Sequence, residues 1–114
     1  MIARVWRATA TAEGAEAYRD HFTGSVLPAL RSVDGHRGAY LFRRDAGDRV
    51  ELEVMTLWDS LDAVRAFAGD DISTAVVEPE ARAAVLTYDT TVTHRTAMVD
   101  TVTDARWGGA LPSG

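Results

Sequence analysis

VELEVMTLWDSLDAVRAF, residues Val50 to Phe67, decides the fold. Strand side chains alternate with period two. Val50, Leu52, Val54, Thr56 and Trp58 therefore share one face, and Glu51, Glu53, Met55 and Leu57 share the other. Asp59 and Ser60 follow at once, and both are favoured residue types for a helix N-cap. Leu61, Val64 and Phe67 continue at helical spacing. The segment predicts a strand that turns directly into a helix. Trp58 stands where sheet meets helix layer, at the mouth of any pocket between them.

Working upstream, Asp45-Ala46-Gly47-Asp48 is a turn short enough to join this strand to a preceding one, His36 to Arg44, as a hairpin. Ile2 to Thr11 reads as the first strand. A helix then runs from near Gly14 to about Arg31, with Tyr18, Phe22, Val26 and Leu30 recurring every four residues. Pro28 should interrupt that helix or start its last turn anew. Downstream, Gly69-Asp70-Asp71 breaks the second helix, and a short helical piece is expected over about Ile72 to Val77. Pro79 suits the first position of another helical turn, and Tyr88 to Val99, rich in Thr and Val, reads as the last strand.

The order βαββαβ predicts an α+β, ferredoxin-like domain over residues 1–99: an antiparallel four-stranded sheet with the helices on one face. Residues 100–114 read as an extended or disordered tail, with docking on a partner subunit through Trp107 as the alternative. Ile2, Arg4, Trp6 and Ala8, with Met55 and Leu57, are assigned to the open sheet face. An apolar patch of that kind marks an interface, and a symmetric homodimer packed sheet to sheet would bury it.

The chain has 114 residues and a formal net charge of -5, which argues against nucleic acid as a partner. It has no cysteine, which excludes disulfides and thiolate chemistry and fits a cytoplasmic protein. No signal-peptide pattern opens it, and no apolar run approaches the roughly 20 residues that span a bilayer.

Three histidines are present: His21, His36 and His94. Their spacing matches no metal-ligand pattern, so no metal site is expected. His36 shares its strand face with Gly38, Tyr40 and Phe42 by alternation; Gly38 either leaves room for a flat ligand or marks a bulge. On the helix side, His36 and Tyr40 would line the pocket. His21 lies beside the apolar stripe of the first helix. Either imidazole could act as general base, since histidine's ordinary pKa lies near neutrality; either could equally be structural. Arg7 shares a face with Val5 and Thr9 that is apolar enough to point at the core, where an arginine needs an anionic partner. A phenolate or carboxylate ligand would supply one, and so would an internal acid. Trp58 would be a stacking wall or simply core, with Val54, Phe22, Phe67 and Val77 around the same space.

The stretch Thr56-Leu57-Trp58-Asp59-Ser60-Leu61-Asp62-Ala63, then Ala66-Phe67, the turn Asp34-Gly35-His36-Arg37-Gly38-Ala39 and the closing strand resemble the dimeric α/β barrel superfamily, within it the antibiotic biosynthesis monooxygenase-like group. The resemblance covers about Ile2 to Met98. It implies homodimers whose two sheets form one barrel, with a pocket in each protomer between sheet and helices. It also implies activities that include cofactor-free oxidation of polycyclic phenols to quinones, and haem degradation. The haem-degrading branch carries an Asn on the first strand, a Trp on the second helix and a His ligand on the next. Those positions are Arg7, Phe67 and Val77 here, so haem is not expected. The quinone-forming branch carries a strand-end Trp, which Trp58 matches, and an Asn where this chain has Val54.

The expectation is a cofactor-independent monooxygenase-like enzyme acting on an aromatic, polyketide-type small molecule. His36 or His21 would be the base, Arg7 and Tyr40 the anion stabilisers and Trp58 the stacking wall. The alternatives are a cyclase or isomerase using the same pocket, and a non-catalytic dimeric barrel that binds small molecules or serves under stress.

Overall fold

The structure, a computed structural model, describes residues 1–102. The elements run β1 (Ile2–Ala10), α1 (Ala12–His21), a π-helical stretch (Phe22–Val26), α2 (Leu27–Arg31), β2 (His36–Ala46), β3 (Arg49–Trp58), α3 (Leu61–Ala68), α4 (Pro79–Ala84), β4 (Thr87–Tyr88) and β5 (Thr93–Thr96). The sheet is antiparallel in the order β2-β3-β1-β4, with β5 also on β1. The expected ferredoxin-like α+β fold is therefore present, with the closing strand in two pieces. No helix among the described residues is long and apolar enough to cross a membrane.

The hairpin closes tightly: Ala46 pairs with Arg49, leaving Gly47 and Asp48 as the turn. Gly47 takes φ 67°, the left-handed region that the first position of a two-residue hairpin turn often needs. Ser60 caps α3, its hydroxyl accepting from the Ala63 N–H at 3.2 Å. Gly35, at φ 88°, lets β2 start against α3, where a Cβ would lie 2.6 Å from the Ala63 Cβ. Its carbonyl accepts from the Asp59 N–H at 2.8 Å, which ties the two strand ends together.

Pro28 shapes the first helix as expected, though by a specific device. Proline has no N–H to give to the carbonyl four residues back. The chain accommodates this with a π turn just ahead of it, where the Leu27 N–H bonds the Phe22 carbonyl. The four-residue spacing of Tyr18, Phe22, Val26 and Leu30 overshoots each 3.6-residue turn by about 40°. A wider turn takes up part of that drift, and Tyr18, Phe22 and Leu30 all stay buried.

Two strand assignments need correction. Trp6 pairs with Val54 and Arg4 with Thr56, so Arg4, Trp6 and Ala8 share the helix-facing side of the sheet. All three are buried, and Trp6 packs on Tyr18 with ring centroids 5.6 Å apart. The set Ile2, Arg4, Trp6, Ala8 and Ala10 is the more apolar alternate of β1, and burial follows apolarity. The open face instead carries Arg7, which is exposed and sits 3.5 Å from Glu53, its cross-strand neighbour. The second correction concerns β2. A bulge between His36 and Gly38 leaves Arg37 as the extra residue and reverses the phase. His36 stays opposite Trp58, while Tyr40 and Phe42 turn to the open face, 49% and 46% exposed and stacked at 5.4 Å.

The segment expected as a helix over Ile72 to Val77 is instead a turn at Ile72-Ser73 followed by a bridged, non-helical stretch. Thr74 bridges to Thr91, and the Ala75 and Val92 N–H groups bond the carbonyls of Thr90 and Ser73, each at 2.9 Å. Asp89 still bonds the Arg7 carbonyl of β1, but residues 90–92 pair with the Thr74 segment instead, and the last strand is split into β4 and β5. Trp107 and most of the tail lie outside the described residues.

Candidate active site

A cavity of about 60 Å³ lies between the helix-facing side of the sheet and the helices. Arg4, Trp6, Val54 and Thr56 line it from the sheet. Tyr18, His21, Val26 and Leu30 line it from the first helix, and Phe67, Val76, Glu78, Ala81 and Val92 close it. A larger depression of about 340 Å³ lies over Arg7, Phe42, Arg44, Glu51 and Glu53 on the open face. Four of its charges are paired across strands, Arg44 with Glu51 at 2.6 Å and Arg7 with Glu53 at 3.5 Å. The smaller cavity brings together Arg4 and His21, two polar groups without such compensation, whereas His36, whose Nε2 is also buried and unpartnered among the described residues, stands alone outside it.

Arg4 is 5% exposed. Its guanidinium donates to the carbonyls of Ile72 (2.6 Å) and Thr74 (3.0 Å) and meets His94 Nε2 at 3.1 Å. Among the described residues no carboxylate lies within ion-pair distance of it. Burial lowers its pKa from the usual arginine value, yet an arginine in a protein stays charged. His94 is lowered too, by burial first and by the Arg4 charge second, which favours the neutral ring that can accept from Arg4.

Tyr18 is buried, and burial, aided by the Glu78 charge, raises its phenol far above the ordinary range. It therefore remains a hydrogen-bond donor at any physiological pH. The His21 ring lies 6.1 Å from that of Tyr18, and its Nε2 is closed off from solvent without a hydrogen-bond partner among the described residues. An imidazole nitrogen in that state is either a lone pair or an N–H awaiting a partner.

The remaining expected site residues distribute as follows. Val54 and Phe67 line the cavity with His21. Phe22 is buried core against Tyr18, and Val77 packs on the same core cluster; neither lines the cavity. Trp58 is fully buried, donates from Nε1 to Thr56 Oγ1 at 2.8 Å and packs on Phe67 at 5.6 Å. It supports two lining residues without reaching the cavity. His36 sits edge-on to Trp58 at 5.1 Å, also outside the lining. Its pKa is lowered by burial, with nearby Arg31 adding and a hydrogen bond to the Gly38 backbone opposing. Arg7 and Tyr40, expected as pocket anion stabilisers, face the opposite side of the sheet because of the β1 register and the β2 bulge. Arg4, Tyr18 and Glu78 are the functional groups not assigned to the pocket from sequence. The greater apolarity of the Trp6 set signals Arg4's face, and the helix stripe signals Tyr18. Nothing local signals Glu78.

The family model for antibiotic biosynthesis monooxygenase matches residues 1–86. No curated protein matches the sequence significantly. Among solved structures, the chain is similar to SnoaB, a cofactor-independent oxygenase from Streptomyces nogalater, at 20% identity and a TM-score of 0.58, over 90% of this chain and 97% of that one. It is also similar to the monooxygenase ActVA-Orf6 of Streptomyces coelicolor, solved with nanaomycin D, at 19% identity and a TM-score of 0.57, over 98% and 91%. Rv0793 from Mycobacterium tuberculosis matches at 19% identity and a TM-score of 0.54, over 87% and 96%. At these identities the likeness to individual structures is one of fold. With the family model spanning three quarters of its length, the chain belongs to the antibiotic biosynthesis monooxygenase family.

Proposed function

We propose that the protein is a cofactor-independent monooxygenase that oxidises an aromatic, polyketide-type phenol to a quinone in the cleft between sheet and helices. Arg4 carries this reading. A buried guanidinium held by carbonyls and an imidazole, with no carboxylate at ion-pair distance among the described residues, favours an anion entering the same cavity. Family membership and the oxygenase-type neighbours support it.

His21 takes the phenol proton. Arg4 and the Tyr18 hydroxyl hold the resulting oxyanion, and Tyr18's raised pKa keeps it a donor rather than a competing acid. The electron-rich ring then bonds molecular oxygen at the carbon para to the oxyanion. His21 returns its proton to the distal oxygen, the O–O bond breaks, and the ring hydrogen leaves with that oxygen as water. One oxygen atom remains on the ring as the new quinone carbonyl, so one phenol and one O₂ give one quinone and one water.

The present cavity is small beside the roughly 300–1,000 Å³ of typical ligand sites. A flat polycycle enters by displacing the segment between α3 and α4, which brings Val76, half exposed, and Glu78 to the cavity. A second copy of the chain covers the open face, where Tyr40, Phe42, Met55 and Leu57 lie.

The test is an oxygen electrode with chelator-treated protein and a polycyclic phenol. One O₂ consumed per quinone formed is expected. Ligand binding with no oxygen uptake would favour a non-catalytic binding barrel, and a rearranged product without uptake a cyclase or isomerase.

A further inference from the structure

We propose that His21, Glu78 and Glu80 form a site for a divalent first-row cation at the rim of the cleft. One ring nitrogen of His21 and one carboxylate oxygen from each glutamate lie within 4.8 Å of one another. The three come from two elements: His21 ends α1, Glu78 is the N-cap of α4 and Glu80 lies in its first turn. Histidine spacing alone cannot reveal this set, because two of its members are glutamates far along the chain.

Two observations separate it from an ordinary acidic surface. His21 has no hydrogen-bond partner among the described residues, and its Nε2 is shut off from solvent. Neither Glu78 nor Glu80 is in an ion pair there, although Arg82 lies on the same short helix. The Glu78 side chain makes no capping hydrogen bond either. Two uncompensated carboxylates beside an unpartnered imidazole are an arrangement that a cation completes.

The donor set selects the cation. Ligands bound at about 2.0–2.2 Å stand roughly 3–4 Å apart, so rotation of the two exposed glutamates closes the set. One imidazole with two carboxylates suits zinc, cobalt or manganese, with water filling the remaining positions. Magnesium favours all-oxygen shells and several retained waters. A cation here occupies the His21 lone pair, so it should inhibit the oxidation. That consequence rests on the functional reading above; the site itself does not.

The test uses the full chain after chelator treatment, with Zn²⁺ and Mg²⁺ as probes of thermal unfolding and calorimetric titration, and Co²⁺ as a visible-absorption probe. The expected result is a saturable rise in Tm with Zn²⁺, a Co²⁺ visible band, and no response to equimolar Mg²⁺. Glu80→Gln, outside the cavity lining, should weaken Zn²⁺ binding at least tenfold while keeping the chelator-treated activity. The absence of a saturable response in the wild type overturns the proposal. So does Zn²⁺ binding of equal strength in wild type, Glu80→Gln and His21→Gln, which would place the ion elsewhere. Cation binding is read without turnover, so a protein inactive towards phenols still gives a clear answer.

Discussion

Replacing Arg4 by methionine separates its two roles, holding a loop and holding an anion. Methionine is of similar length but carries no charge and no donors. The substitution removes the bonds to the Ile72 and Thr74 carbonyls and the contact with His94. An acceptor left without a partner costs about 1–3 kcal/mol. Both bonds are only partly buried, so the cost falls near the lower end for each. Relief from desolvating a guanidinium, worth several kcal/mol per ion when complete, offsets part of it. The net loss should be about 1–2 kcal/mol, a fall in Tm of about 5–10 °C for a domain of this size. Binding should suffer differently. A charge-assisted hydrogen bond to a phenolate contributes about 1.5–3 kcal/mol, or about 10- to 150-fold in Kd. The assay is anaerobic titration of tryptophan fluorescence, since Trp6 lines the cavity. The wild type and Arg4→Met are each titrated with an ionised polycyclic phenol and with its neutral methyl ether. The phenolate should lose 10-fold or more and the ether no more than about twofold. Equal losses for both ligands would refute the reasoning, because Arg4 would then only shape the loop.

Three further outcomes are expected. Gly35→Ala should destabilise by about 2–5 kcal/mol, measured by denaturant unfolding: a left-handed backbone costs an alanine about 1–2 kcal/mol, and its Cβ would meet the Ala63 Cβ at 2.6 Å, an overpacking worth about 1–3 kcal/mol. His94, lowered in the folded state, is protonated first in the unfolded chain, so stability should decline as pH falls below about 6.5 and level off beneath the folded pKa. His94→Gln should make that part of the stability–pH curve shallower, with His36, also lowered by burial, supplying the rest; an unchanged slope would remove His94 as a source. Tyr40→Glu should shift sedimentation from dimer to monomer with the fold intact, whereas Trp6→Glu, which buries an unpaired charge, should abolish folding altogether. A dimer unaffected by Tyr40→Glu would argue against the open face as interface.

Much of the fold was legible because its signals are local. The alternation of Val50–Trp58, the Asp59-Ser60 cap, the Gly47 turn and the four-residue stripe each specify an element without reference to the rest of the chain. The sites that sequence misplaces depend on non-local facts. One extra residue at Arg37 reverses the face of Tyr40; Gly38 beside it is a residue type that can mark a bulge, but it can equally leave ligand space, so it does not by itself fix the phase. The face of Arg4 and Arg7 is hinted at by the apolarity of the Trp6 set, but a large apolar residue suits an interface as well as a core, and only the helices packed on that side decide between them. The break in the closing strand arises because residues 90–92 bond the segment around Thr74, a contact that appears only once the sheet is assembled. The cavity inherits these limits. His21, Val54 and Phe67 are legible from their own elements and Arg4 from the apolarity of its strand alternate, while Glu78 depends on the loop.

The most direct test of the account compares oxygen uptake by Arg4→Met and Arg7→Met with a polycyclic phenol. The two arginines lie three residues apart on one strand, on opposite faces of the sheet. With Arg4 as the anion-holding group, its removal should lower kcat/KM at least 10-fold, in line with the lost charge-assisted bond. Arg7→Met, which breaks only an exposed pair with Glu53, should stay within about twofold. The opposite pattern, or equal activity in both, would contradict the placement of the reaction in the sheet–helix cleft.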